Sequence, residues 1–135
     1  SRLRTASSPL ELTEWLVGRT PDSASALSDA PKADVQAIAA SMAGLQSNSL
    51  FSTFRSLGIP CLLVYGEKDQ AVTTPSYESA VSTMTHQIVL ENSGHFPMLD
   101  ETAKFNRLLT DFLALDSGIS PSELQMKEEW KRRVR

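Results

Sequence analysis

One cysteine and two histidines are the only thiol and imidazole groups in 135 residues. Cys61 has no partner in the chain, so an internal disulfide is excluded. Neither His86 nor His95 stands at a metal-ligand spacing from Cys61, and no metal or cofactor is expected. No apolar run approaches the roughly 18 residues of a membrane span, and no secretory leader is recognisable. Excess positive charge is also lacking: 13 Lys and Arg against 16 Asp and Glu leave a net charge of −3. That balance gives no reason to expect nucleic acid or an anionic membrane as partner. Internal repeats and low-complexity tracts are missing too. The 41% hydrophobic content is ordinary for one globular domain, and a reducing, cytoplasmic setting is the expectation.

What is present falls into two halves of different character. Ser8-Pro9 with Glu11 reads as a helix start, with Leu12, Trp15 and Leu16 at helical spacing and Gly18 as the stop. Residues 20–29 read as a loop rich in Ser, Pro and Asp. A second helix is expected over 31–45, with Val35, Ile38, Met42 and Leu45 on one stripe. A short third helix follows Asn48, burying Leu50, Phe51, Phe54 and Leu57 before Gly58. From Ile59-Pro60 onward the pattern alternates. Residues 61–65 form a continuous apolar run, as in a parallel strand covered on both faces. A helix is expected over 74–84 and a strand over 86–90. Asp100 then caps a long helix holding Phe105, Leu108, Leu109, Phe112 and Leu113 inward. A terminal helix from Ser120 carries Met126, Trp130 and Val134 as its apolar stripe, with Glu128–Arg132 and Glu129–Arg133 as supporting pairs. Its basic end (Lys131, Arg132, Arg133 and Arg135) reads as a solvated helix C-terminus.

Strand–helix–strand–helix alternation implies an α/β chain with parallel strands and helices on their faces. Two parallel strands alone leave an unpaired edge on each. Association is therefore expected, through strand-edge pairing or helix exchange with another copy, or by pairing with further polypeptide.

Two turns carry the chemistry. Leu62-Leu63-Val64-Tyr65 leads into Gly66-Glu67-Lys68-Asp69, and Gln87-Ile88-Val89-Leu90 leads into Ser93-Gly94-His95. An acid after one strand and a histidine after the next, at the C-terminal ends where open α/β sheets form their sites, suit a base and the acid that orients it.

In these residues the chain from Ile59 to Leu115 resembles the C-terminal part of an α/β-hydrolase. The G-x-x-D turn matches that family's acid turn, and Ser93-Gly94-His95 with Phe96-Pro97 matches its histidine turn. Thr102 stands where the family often has proline. The resemblance implies His95 as general base and Asp69 as triad acid, with Glu67 and Asp100 as competing acids. It also implies that residues 1–58 form a helical cap or lid, that 59–115 belong to the hydrolase core, and that 116–135 are a helical extension. Trp15, Phe51 and Phe54, with Met42, would then face a small-molecule substrate from the lid, and Phe96 would line the acyl or leaving-group pocket. As helix-stripe residues the same side chains suit an ordinary core. His86 reads as a surface residue and Cys61 as a small core residue.

The family nucleophile sits in a G-x-S-x-G elbow on an earlier strand. Neither that motif nor its Cys or Asp versions occurs in this sequence. The chain, which opens at Ser1, is accordingly expected to be the C-terminal fragment of a longer hydrolase of ester, amide or related bonds, inactive alone for want of a nucleophile and an oxyanion hole. An aspartate elbow would instead give dehalogenase or epoxide hydrolase chemistry. Phe105-Asn106-Arg107-Leu108 and Asp111-Phe112-Leu113 also resemble the closing helix of carbon–carbon bond hydrolases and haloperoxidases. A non-catalytic binding or interaction module is the alternative of a different class.

Overall fold

The computed structural model describes residues 8–44 and 49–126. They form a mixed helix–strand chain around a two-stranded parallel sheet.

The first half is helical for the local reasons its sequence supplies. Helix α1 (Pro9–Val17) starts where the Ser8 hydroxyl accepts the Glu11 N–H at 3.1 Å. It stops at Gly18, whose φ of 68° is open to glycine and whose N–H bonds the Glu14 carbonyl. Residues 20–29 are not the expected loop. Thr20 and Ser23 cap each other reciprocally around a 3-10 turn (Pro21–Ser23), which runs into α2 (Ala24–Asp29). The Thr-Pro-Asp-Ser run is a start signal of the same kind as Ser8-Pro9. Helix α3 (Val35–Gly44) begins later than expected, capped by the Asp34 carboxylate on the N–H groups of Gln36 and Ala37. Of its stripe, Val35 is 60% exposed while Ile38 and Met42 are half-buried; Leu45 lies outside the described residues. Helix α4 (Ser49–Ser56) is followed by an exposed Leu57, contrary to the expected burial. The side chains of Leu50 and Phe51 lie outside the described residues.

Strand β1 (Cys61–Gly66) and strand β2 (Thr85–Leu90) pair in parallel register, Cys61 with Thr85 through Gly66 with Leu90. The Cys61 N–H donates to the Met84 carbonyl and the Glu67 N–H to Leu90, at 2.8 and 2.9 Å. Alternate residues of a parallel ladder serve the same neighbour, so Leu62, Val64 and Gly66 turn their backbone groups away from β2. Apolar as it is, β1 is only half-buried from Cys61 to Tyr65, because helical cover over a two-stranded sheet is thin. The connecting helix is one turn, α5 (Tyr77–Ala80), rather than a helix over 74–84.

Beyond β2, the expected long helix is α7 (Thr102–Leu113), and a separate turn, α6 (Pro97–Asp100), precedes it. Asp100 caps neither. Leu108 is the fully buried residue of α7, while Leu109 and Leu113 are exposed at 43% and 72%. After Gly118 the chain takes a 3-10 conformation over Pro121–Met126. Trp130, Val134 and the expected ion pairs there lie outside the described residues. Among the described residues no helix is long and apolar enough to cross a membrane.

His86 corrects the sequence reading most directly. It is 1% exposed, with Nδ1 3.2 Å from the Tyr77 hydroxyl and the two rings edge-to-face. Its Nε2 is buried without a partner among the described residues, and burial pushes the imidazole pKa below its ordinary value. Cys61 is half-buried at the head of β1, not a core residue.

Candidate functional site

Both strands end at the same side of the sheet, and the turns that follow them are tied together. The Lys68 N–H donates to the Ser93 carbonyl at 2.9 Å, and the Lys68 ammonium reaches the Asn92 side-chain oxygen at 3.2 Å. Gly66 lies directly beneath the second turn: a β-carbon there would fall 2.3 Å from the Ser93 carbonyl oxygen. The glycine of the G-x-x-D turn is thus a close-approach position.

In the first turn Asp69 folds back, its N–H on the Gly66 carbonyl. One carboxylate oxygen, Oδ1, accepts the N–H groups of Ala71 and Val72 at 2.7 and 3.1 Å. The other, Oδ2, stands 2.9 Å from His95 Nδ1. With its side chain only 7% exposed, burial pushes the Asp69 carboxyl up. The His95 hydrogen bond, the two backbone N–H groups and the His95 charge outweigh that, holding it below the usual carboxylate range. An ionised acceptor on Nδ1 keeps the proton there and leaves Nε2 as the free base position. Among the described residues Nε2 of His95 makes no hydrogen bond. The ring is 29% exposed and rests edge-to-face on Phe96, centroids 4.8 Å apart.

The second turn is held from below by Asp100 and Glu101. Asp100, expected as a helix cap, accepts the Gly94 N–H through Oδ2 at 2.7 Å. Glu101, which the sequence did not single out, accepts the Asn92 N–H at 3.1 Å and the Ser93 hydroxyl at 2.7 Å, both on Oε2. Its Oε1 pairs with Lys104 at 2.7 Å. Burial pushes the Glu101 carboxyl up, but these partners outweigh it and hold it low. No local spacing announces this link, because eight residues separate Ser93 from Glu101.

Trp15 and Leu16 of α1 close over the Asp69–His95 pair, together with Lys68, Gln70, Ala71 and Gly94. They frame a solvent-open cleft of about 320 Å³. Leu16 also borders an adjoining cleft of about 510 Å³, lined by Phe96, Leu99, Asp22 and Asp100 among others. Trp15 and Phe96 are thereby brought to the site. Phe54 is not: its carbonyl accepts the Thr85 hydroxyl at the opposite end of β2, so the sheet separates it from His95. Phe51 shares that helix, and its side chain lies outside the described residues. Met42 lines neither cleft. Among the described residues no three His, Cys, Asp or Glu side chains converge as metal ligands.

No family model, curated protein or solved structure matches the chain.

Proposed function

We propose that Asp69 and His95 are the acid and base of a hydrolase whose nucleophile is carried by polypeptide outside these 135 residues. The observation that carries this reading is the 2.9 Å bond between Asp69 Oδ2 and His95 Nδ1, made just past the C-terminal ends of two neighbouring parallel strands. The pairing of a low-pKa carboxylate with a part-exposed imidazole has the chemistry of a general base: Nε2 takes the proton of an attacking hydroxyl and returns it to the leaving group. Asp69 holds the tautomer and stabilises the imidazolium that forms. In this reading the chain is the C-terminal part of an α/β-hydrolase, the helices before Ile59 belong to its cap, and Trp15 and Phe96 contact substrate. The cleft at His95 is open to solvent, and in this reading it takes an ester, amide or related bond of a compact substrate.

The test is hydrolysis of p-nitrophenyl butyrate by the full-length natural polypeptide, with His95→Ala and Asp69→Asn beside it. Activity lost in H95A, and reduced by up to about 10⁴-fold in D69N as in a serine-protease triad, supports the reading. Hydrolysis that survives His95→Ala undiminished sinks it.

A further inference from the structure

Between α6 and α7 the backbone leaves helical geometry at Glu101, where φ is −126° and ψ is 55°. No glycine or proline stands at the break to cause it. Glu101 occupies the N-cap position of α7, yet its carboxylate does not cap that helix. Its oxygens accept instead from Asn92, Ser93 and Lys104. A helix-favouring residue that stands outside helical geometry while its carboxylate bonds the Asn92–Ser93 turn is a local rule broken for a tertiary purpose, and such breaks concentrate at sites that need a fixed geometry.

That purpose can be read from what the bonds hold. Ser93 is wholly buried, with its carbonyl on the Lys68 N–H and its hydroxyl on Glu101. It stands two residues before His95. The turn that presents the imidazole is therefore clamped between the Asp69 turn on one side and the α6–α7 junction on the other. Two donors on a single carboxylate oxygen fix both the height and the tilt of this backbone. Lys104 neutralises the clamp, so an extra negative charge is not left beneath the Asp69–His95 pair.

We propose that Glu101 is a positioning residue for His95, acting through Asn92 and Ser93 to hold the ring in register with Asp69. The proposal rests on the hydrolase reading for its catalytic meaning, but its geometry can be tested without any activity. Glu101→Gln keeps an oxygen for Asn92 and Ser93 while losing the pair with Lys104; Glu101→Ala loses all three bonds. Leu108→Ala serves as a control that destabilises the buried face of α7 without touching the clamp.

The experiment is ¹H–¹⁵N NMR of the chain, following the downfield Nδ1–H proton of His95 and the tautomer reported by its ring nitrogens, with thermal melts in parallel. The expected result is a single Nδ1–H tautomer in the unsubstituted chain and in L108A, a largely preserved signal in E101Q, and an averaged, broadened ring in E101A. Retention of the signal in folded E101A overturns the proposal, and so does its equal loss in L108A. Should E101A not fold, Ser93→Ala takes its place by removing the shorter of the two clamp bonds, and an unchanged ring signal there overturns the proposal. In the full-length polypeptide, E101A is expected to lower kcat by roughly 10- to 100-fold with KM within about two-fold, the cost of a reacting group displaced by about 1 Å. A protein inactive toward esters would discard the hydrolase reading and leave the ring measurement standing.

Discussion

A β-carbon placed on Gly66 would stand 2.0 Å from the carbonyl oxygen of Gly94, so the end of β1 and the histidine turn are in backbone contact. Both neighbours at that point are backbone atoms, and neither can swing aside as a side chain would. Gly66→Ala must push the two turns apart, at a cost of about 3 kcal/mol for overpacking at a rigid site. The expected outcome is a lower urea midpoint together with loss of the His95–Asp69 hydrogen bond in the ring NMR spectrum. Unchanged stability would mean that the turns are not in contact.

Acid should loosen the same region. Asp69 and Glu101 both have carboxyl pKa values lowered in the folded chain by their hydrogen-bond and charge partners. A group whose folded pKa is depressed gives stability that is complete above its unfolded value and is lost as pH falls through the folded one. The window thus opens at about pH 4, where free carboxylates titrate, and extends downward. Urea unfolding from pH 6 to pH 2.5 should show midpoints that fall below about pH 4, with a shallower fall in D69N and in E101Q. Parallel curves for all three proteins would count against the two clamps.

His86 makes a second acid-sensitive point, higher on the pH scale and of different origin. Its ring is buried against Tyr77, with Nε2 unpartnered among the described residues, and burial disfavours the charged form. The folded pKa lies below the unfolded value of about 6.5, so stability is complete above about pH 6.5 and declines as pH falls toward the folded value. His86→Phe keeps an aromatic edge against Tyr77 and removes the titrating group; the Tyr77 side chain, in a residue 49% exposed, can still find water. The variant should match the unsubstituted chain within about 1 kcal/mol at pH 8 and exceed it at pH 5. Equal pH dependence in the two proteins would show that His86 does not titrate on unfolding.

These residues also mark where sequence is informative. Asp69 and His95 were legible because each sits in a short turn whose type is written locally, and a parallel pair of strands brings such turns together as a matter of topology. The caps at Ser8 and Gly18 were legible for the same reason. Glu101 was not, since its partners Asn92 and Ser93 lie on another element. His86 looked like a surface residue by polarity. Its partner, the Tyr77 hydroxyl, comes from the connection between the strands. Phe54 was drawn toward the site by the lid that the resemblance implies, and the order of α4 before β1 places it at the other end of the sheet. Tertiary context decides all three, and no window of neighbouring residues contains it.

The open edge of β1 leads to the last expectation. Leu62 and Val64 present backbone N–H and C=O groups away from β2, and among the described residues the sheet has no third strand. Half-buried apolar side chains flank this edge from Cys61 to Tyr65, and Ile59 just before it is 59% exposed. Edges of this kind, without a charge, a proline or a bulge to blunt them, pair with whatever strand is offered. In the chain alone the strand on offer is a second copy, so sedimentation velocity at micromolar concentration should show a species larger than a monomer. Val64→Pro removes an N–H that points away from β2, and should therefore break the association while sparing the β1–β2 ladder more than proline at Leu63 would. A clean monomer for the unsubstituted chain, or an association that Val64→Pro leaves intact, would show that this edge is not where the chain pairs.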